Sequence, residues 1–196
     1  MKQVCVIHGG NAFESKSDFI ANLKATELDY DRLLYHPRWN NWLGETLTDF
    51  EVLLPTMPNA SSAEYDEWSL YFSKILPFLK PNAVLVGHSL GGIFLAKYLN
   101  EHSNSLHFKK VILIAPPFRD ETDESLASFR LPQNMSDLSS AADEFILFHS
   151  RDDFVVPFEE TNKYLAILPH ARATFFEDRG HINTPTFPEL LDEIKK

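Results

Sequence analysis

Residues 84 to 100 read VLVGHSLGGIFLAKYLN. The apolar run Val84–Val86 predicts a buried strand, and the apolar side chains of 93–99 recur at helical spacing. Between them Ser89 lies among glycines, where the strand becomes a helix. A sharp turn there would lift the serine Oγ clear of the sheet, and glycines would avoid clashes at the flanking positions. The pattern therefore predicts either a simple small-residue turn or a nucleophilic Ser89.

Apolar runs like this one recur along the chain and alternate with helical patterns. The runs are continuous, which is typical of strands covered on both faces of a parallel sheet. The predicted strands are Val4–Ile7, Glu51–Leu54, Ala83–Val86, Val111–Ala115, Phe145–Phe148 and Ala173–Phe176. Predicted helices begin at a Ser61 or Ser62 cap, near Ile93, at Pro157 and at Phe187. The order predicts one α/β domain over residues 1–196, with about six mostly parallel strands and helices on both faces.

Composition limits the classes of function. The net charge of −10 argues against nucleic acid and anionic membranes as partners, and against strongly anionic substrates unless a local pocket differs from the whole. The lone Cys5 excludes an internal disulfide and fits a reducing compartment. No apolar run suits a signal peptide or a membrane span, so we predict a cytoplasmic protein. No metal-ligand spacing is present, so no metal or cofactor is expected.

Polar residues follow four of the predicted strands. They are 8–11 after the first strand, Ser89 after the third, Asp152 and Asp153 after the fifth, and His181 after the sixth. The carboxyl ends of parallel strands meet at one edge of a sheet, where ligands bind. Serine, acid and histidine then follow each other in the order of the α/β-hydrolase triad.

Each of these residues has a chemical role in that interpretation. His181 would take the proton of the serine, and an aspartate would orient and stabilise the imidazole. The N–H of Leu90 and one N–H from residues 8–11 would bind the oxyanion, each contributing about 3 to 4 kcal/mol. Taken singly, the same residues could be a turn, a surface histidine and a solvated acidic loop. Their joint occurrence at strand ends, in the required order, favours catalysis.

Other candidates have structural interpretations. His88 should point away from the Ser89 hydroxyl, and Cys5 lies within a buried-looking strand. Trp39 and Trp42 are interpreted as helix packing, although one of them could line the pocket.

Six segments carry a resemblance to a known family. They are VCVIHGG, RWNNWL, FEVLLPTMPNA, VLVGHSLGG, FHSRDDFVVPFEE and FFEDRGHI. The chain resembles the small serine-hydrolase family of retinoblastoma-binding protein 9 and its bacterial YdeN-like relatives, in the α/β-hydrolase superfamily. The resemblance implies a compact α/β-hydrolase core without a large cap domain, with Ser89 as nucleophile and His181 as base. It favours Asp153 over Asp152, because the acid of the family lies four residues before the proline matched by Pro157. No L-x-C-x-E motif is present, so retinoblastoma binding is not implied.

The chain departs from the family at residues 11–38, which form a longer connection than in YdeN-like members. This insertion leaves the second oxyanion donor open between Gly10, which we prefer, and Asn11. Its many apolar residues predict a small flap over the catalytic edge, although a helical insertion packed elsewhere on the sheet would explain them too.

The sequence thus predicts a serine hydrolase that cleaves a small ester, or less favourably an amide or thioester, through an acyl-enzyme. Two alternatives stay open: a non-catalytic protein-binding module that retains the fold, and a different α/β-hydrolase reaction. The substrate and the oligomeric state are not determined by the sequence.

Overall fold

The computed structural model describes residues 1–119 and 125–196. Within these ranges six strands form one sheet in the order β2-β1-β3-β4-β5-β6, and all neighbouring strands are parallel. The strands are β1 (Lys2–Ile7), β2 (Phe50–Leu53), β3 (Val84–His88), β4 (Phe108–Ile114), β5 (Ala142–Ser150) and β6 (Arg172–Phe176). The predicted α/β fold is confirmed, and the sheet is wholly parallel in the described part of the chain.

Helices connect the strands. They are α1 (Lys16–Ala25), α2 (Tyr30–Leu33), α3 (Trp39–Thr46), α4 (Tyr65–Ile75), α5 (Leu90–His102), α6 (Glu159–Ile167) and α7 (Pro188–Lys195). None of the helices in the described ranges has the length and apolarity needed to cross a bilayer.

The predicted cap of α4 was wrong. Helix α4 follows Glu64, whereas Ala60–Ser62 forms a separate 3₁₀ turn. The Asn11 N–H donates to the Ala60 carbonyl oxygen (2.8 Å), and the Ala63 N–H donates to that of Asn11 (2.8 Å). These bonds tie residues 60–63 to the loop after β1, and Ala63 is extended. The serines therefore precede the helix without capping it.

Two layers of helices cover the sheet. In β1, Val4 and Val6 pack with α3 and α7, while Cys5 and Ile7 pack on the face covered by α4, α5 and α6. The same alternation recurs in the inner strands. Burial on both faces explains why the strands are continuous apolar runs. Burial also raises the pKa of the Cys5 thiol to about 12, which fits a core position.

Helix α5 is anchored by a cluster of aromatic side chains. The ring centroid of Phe94 lies 5.5 Å from that of Trp68 and 5.6 Å from that of Phe72, both with edge-to-face geometry. All three side chains are fully buried. Truncating such a residue typically costs about 3 to 5 kcal/mol. The cluster therefore fixes the helix whose first turn follows Ser89.

Residues 11–38 are held mainly at their ends. Helix α1 has no buried side chain, while Glu14 pairs with Arg130 and accepts a hydrogen bond from Ser125 (2.9 Å). Large apolar side chains of the segment are exposed: Ile20, Leu23, Leu28, Tyr30, Leu33, Leu34 and Tyr35. The flap stays a prediction. The sequence has a second long connection over 119–143, rich in Ser, Asp and Glu, of which residues 120–124 lie outside the described residues.

Candidate active site

Ser89 occupies the turn between β3 and α5. Its backbone has φ 54° and ψ −122°, which is rare for a residue other than glycine. The Ser89 N–H donates to the Ile114 carbonyl oxygen (2.8 Å), and the Ser89 carbonyl oxygen accepts from the N–H of Gly92 (2.8 Å). The surrounding backbone thus holds a strained conformation, as strained turns at functional sites require.

Two glycines permit this turn. A β-carbon at Gly87 would lie 2.5 Å from the Gly91 carbonyl oxygen, and one at Gly91 would collide with that of Ile7. These contacts are with backbone atoms, which cannot rotate away. The glycines in the sequence pattern are therefore required by the close approach of β1, β3 and α5.

His181 and Asp153 are in direct contact. The distance from His181 Nδ1 to Asp153 Oδ2 is 2.8 Å. A carboxylate oxygen only accepts, so Nδ1 carries the proton and Nε2 is left with a free lone pair. Both His181 and Ser89 line one cleft of about 390 Å³. The arrangement can therefore accept a proton from a group in that cleft.

Asp153 is buried but has a full set of donors. Its Oδ1 accepts from the N–H groups of Val155 (2.9 Å) and Val156 (3.0 Å), and its Oδ2 also lies 3.3 Å from His149 Nε2. Burial acts to raise the pKa of Asp153, but the hydrogen bonds from His149, His181 and Val156 outweigh it and hold that pKa well below the usual range. Asp153 is therefore charged at neutral pH.

The loop after β1 passes beside the Ser89 hydroxyl. A β-carbon added at Gly9 would lie 3.6 Å from Ser89 Oγ. The Asn11 N–H already donates to Ala60, whereas the Gly10 N–H has no backbone acceptor in the described ranges. Leu90 begins α5, so its N–H is one of the groups that a helix leaves unpaired. The geometry favours Gly10 over Asn11 as the partner of Leu90.

Comparison with known families gives the class of protein. The family model described as "Serine hydrolase" matches residues 35–188. The chain belongs to this serine hydrolase family. It is a hydrolase, and the predicted membership of a serine-hydrolase family is confirmed.

Solved structures resemble this serine hydrolase over nearly its whole length. The ydeN gene product of B. subtilis is 20% identical, with a TM-score of 0.79 and coverage of 100% of this chain and 97% of that chain. A putative YdeN-like hydrolase from Pectobacterium atrosepticum is 14% identical (TM-score 0.66; 98% and 89% covered). Est1E from Butyrivibrio proteoclasticus, with ferulic acid bound, is 13% identical (TM-score 0.61; 100% and 87% covered). These likenesses show the α/β-hydrolase fold. No curated protein sequence matches the chain.

Three contacts hold the His181 loop of the serine hydrolase. His88 Nε2 donates to the His181 carbonyl oxygen (2.9 Å), and Trp39 Nε1 donates to that of Ile182 (3.0 Å). The Trp39 N–H donates to the Thr184 carbonyl oxygen (2.9 Å). Burial lowers the pKa of His88 to about 3, so His88 is neutral and structural. Ile182 has φ 50°, an unusual value for a β-branched residue, and these contacts maintain it.

Asp152 connects two loops. Its Oδ1 accepts from the Ser150 hydroxyl (2.5 Å) and from the Gly180 N–H (2.9 Å). The Ser150 Oγ in turn accepts from the Arg179 N–H (2.9 Å). Asp152 is thus not a merely solvated acid, since it ties the end of β5 to the residue before His181.

The sequence interpretation missed His149. This fully buried side chain places Nε2 2.9 Å from the Val156 carbonyl oxygen and 3.3 Å from Asp153 Oδ2. Both are acceptors, so Nε2 is protonated and Nδ1 accepts from the Thr161 hydroxyl (2.7 Å). The available signal was a pair of polar residues, His149 and Ser150, at the end of the apolar β5 run. No group of three His, Cys, Asp or Glu side chains in residues 1–119 and 125–196 is arranged to hold a metal ion.

Proposed function

We propose that this serine hydrolase cleaves a small carboxylic ester through an acyl-enzyme formed on Ser89. The observation that carries the proposal is the 2.8 Å contact between Asp153 and His181 Nδ1, made beside the cleft that Ser89 also lines. This contact leaves the lone pair of His181 Nε2 available as a base in the cleft that Ser89 also lines. The esterase RhEst1 from Rhodococcus is among the similar structures, which supports the ester class.

In the first half-reaction Ser89 Oγ attacks the carbonyl carbon of the ester, and its proton passes to His181 Nε2. The resulting oxyanion is bound by the N–H groups of Leu90 and Gly10, at the positive end of α5. When the intermediate collapses, the bond to the alcohol oxygen breaks and the alcohol takes the proton from His181. Asp153 stabilises the imidazolium that exists between these steps.

In the second half-reaction water replaces the alcohol. His181 takes a proton from the water, whose oxygen attacks the acyl carbon, and then returns a proton to Ser89 Oγ as the acid departs. No cofactor or metal ion takes part in either half-reaction.

The test is labelling with a fluorophosphonate probe, followed by mapping of the modified residue. We expect the label on Ser89, and no label in Ser89→Ala. Ser73→Ala, an exposed serine on α4, is the matched control and should be labelled like wild type. Folded wild-type protein that resists the probe and cleaves no p-nitrophenyl ester would favour the non-catalytic binding module instead.

A further inference from the structure

The cleft beside Ser89 differs in charge from the rest of the molecule. The chain has 28 Asp and Glu residues and a net charge of −10. None of the described residues that line the cleft is Asp or Glu, and one of them, Arg38, is cationic. The cleft therefore differs in charge from the acidic molecule as a whole, and Arg38 would attract a negatively charged group of a substrate to it.

The Arg38 guanidinium is held in place without being neutralised. Its Nη1 donates to the amide oxygen of Asn183, and in the described ranges no carboxylate pairs with it. Four other arginines contact a glutamate: Arg130, Arg151, Arg172 and Arg179. A guanidinium has five N–H donors in a planar fork that matches a carboxylate. Among the described residues, Asn183 is the hydrogen-bond partner found for the Arg38 side chain, so most of its donors can reach a ligand.

The position of Arg38 indicates which part of a substrate it meets. Arg38, Asn183 and His181 all line the cleft, and Asn183, which accepts the Arg38 hydrogen bond, lies two residues after His181. The leaving group takes its proton from His181, so it must lie close to His181 and to the residues that follow it.

We infer that Arg38 and Asn183 form a subsite for a carboxylate on the leaving group of the substrate. The preferred substrates are then esters of an alcohol or phenol that itself carries a carboxylate. This inference rests on the proposed function, since it places a substrate group relative to His181. A charge-assisted fork from Arg38 would orient the leaving oxygen toward the imidazole.

The experiment compares two acetyl esters that differ only in the charge of the leaving group, 4-acetoxybenzoate and 4-acetoxybenzamide. The measured quantity is the ratio of kcat/KM for the charged ester to that for the neutral one. We expect Arg38→Gln to lower this ratio about tenfold, as loss of a charge-assisted hydrogen bond would. Arg38→Lys keeps the charge but not the fork, and should give an intermediate ratio.

Lys74→Gln is the matched control, because it removes the same charge from an exposed position that does not line the cleft. Its ratio should equal that of wild type. Added salt should reduce the wild-type ratio, because the subsite is open to solvent. An unchanged ratio in Arg38→Gln, or an equal loss in Lys74→Gln, would overturn the subsite.

A second pair of esters tests the side of the cleft. Monophenyl succinate carries its carboxylate on the acyl group, and phenyl butyrate is its neutral counterpart. If Arg38→Gln changes the ratio for this pair and not for the acetoxy pair, the assignment to the leaving group is wrong. Wild type that cleaves 4-acetoxybenzamide with no preference for its charged partner would refute the subsite alone. Resistance of wild type to the fluorophosphonate probe and to all four esters would refute the proposed function.

Discussion

Replacing Asp153 by asparagine places an amide NH₂ group where two imidazole N–H groups now donate. The side-chain oxygen of asparagine could still accept from the Val155 and Val156 N–H groups. The NH₂ group would then face His181 Nδ1 and His149 Nε2, both of which carry protons in the wild type. To relieve this, His181 must move its proton to Nε2, which is the atom that should receive the serine proton.

The expected loss of activity is therefore large. With the wrong tautomer, kcat should fall by several orders of magnitude, up to about 10⁴. Losing both imidazole bonds costs about 3 to 6 kcal/mol. Part of this cost is offset because a neutral amide is easier to bury than a carboxylate. We therefore expect a net loss of about 2 kcal/mol in the free energy of unfolding.

The assay is hydrolysis of p-nitrophenyl acetate, with denaturant unfolding measured on the same preparations. Asp152→Asn is the matched control, since it changes the neighbouring acid and keeps the oxygen that accepts from Ser150 and Gly180. Its kcat should fall far less. The opposite ranking of the two variants would refute our reasoning about which acid orients the imidazole.

Wild type and Asp153→Asn should also differ in how their stability depends on acid pH. The folded pKa of Asp153 is depressed, so its contribution to stability is present above the unfolded value of about 3.9 and is lost as the pH falls below it. The difference in unfolding free energy between wild type and Asp153→Asn should therefore narrow below about pH 4. A constant difference from pH 6 down to about pH 3 would contradict this linkage.

Two other results are expected. His149→Ala should lower kcat by up to about 100-fold, with a much smaller change in KM, because Asp153 loses a positioning contact. Equal changes in kcat and KM would instead indicate general damage to the fold. Thr161→Val should also lower kcat more than it changes KM, but by a smaller factor. Replacing residues 14–35 by a short Gly/Ser linker should weaken the preference for short-chain over long-chain p-nitrophenyl esters, and an unchanged preference and KM would show that the segment is not a flap.

Much of the fold follows from local pattern. The continuous apolar runs predicted six strands, because a strand buried on both faces has apolar side chains at successive positions instead of alternating apolar and polar ones. The glycines around Ser89 predicted the turn, because the close approach of the Gly91 backbone excludes a β-carbon at Gly87, four residues away. Such features depend on neighbours in the chain or on the period of a strand, so the sequence displays them directly.

Features that depend on contacts between distant segments were not predicted. The helix α4 starts after Glu64 because residues 60–63 bond to Asn11, almost fifty residues away in the chain. The partners of His149 and Asp152, and the place of Arg38 in the cleft, likewise depend on how loops meet at the sheet edge. Spacing along a chain carries no information on these side-chain directions.

The two ends of the 11–38 segment are fixed to different parts of the molecule. Asn11 exchanges backbone hydrogen bonds with Ala60 and Ala63, while Trp39 is bonded to Ile182 and Thr184. The chain between these anchors can therefore change in length and composition while the loop carrying the base keeps its position. In evolution or in protein engineering, this segment is a replaceable cassette: new sequences grafted between the anchors could reshape the entrance to the cleft and leave the chemistry at Ser89 intact.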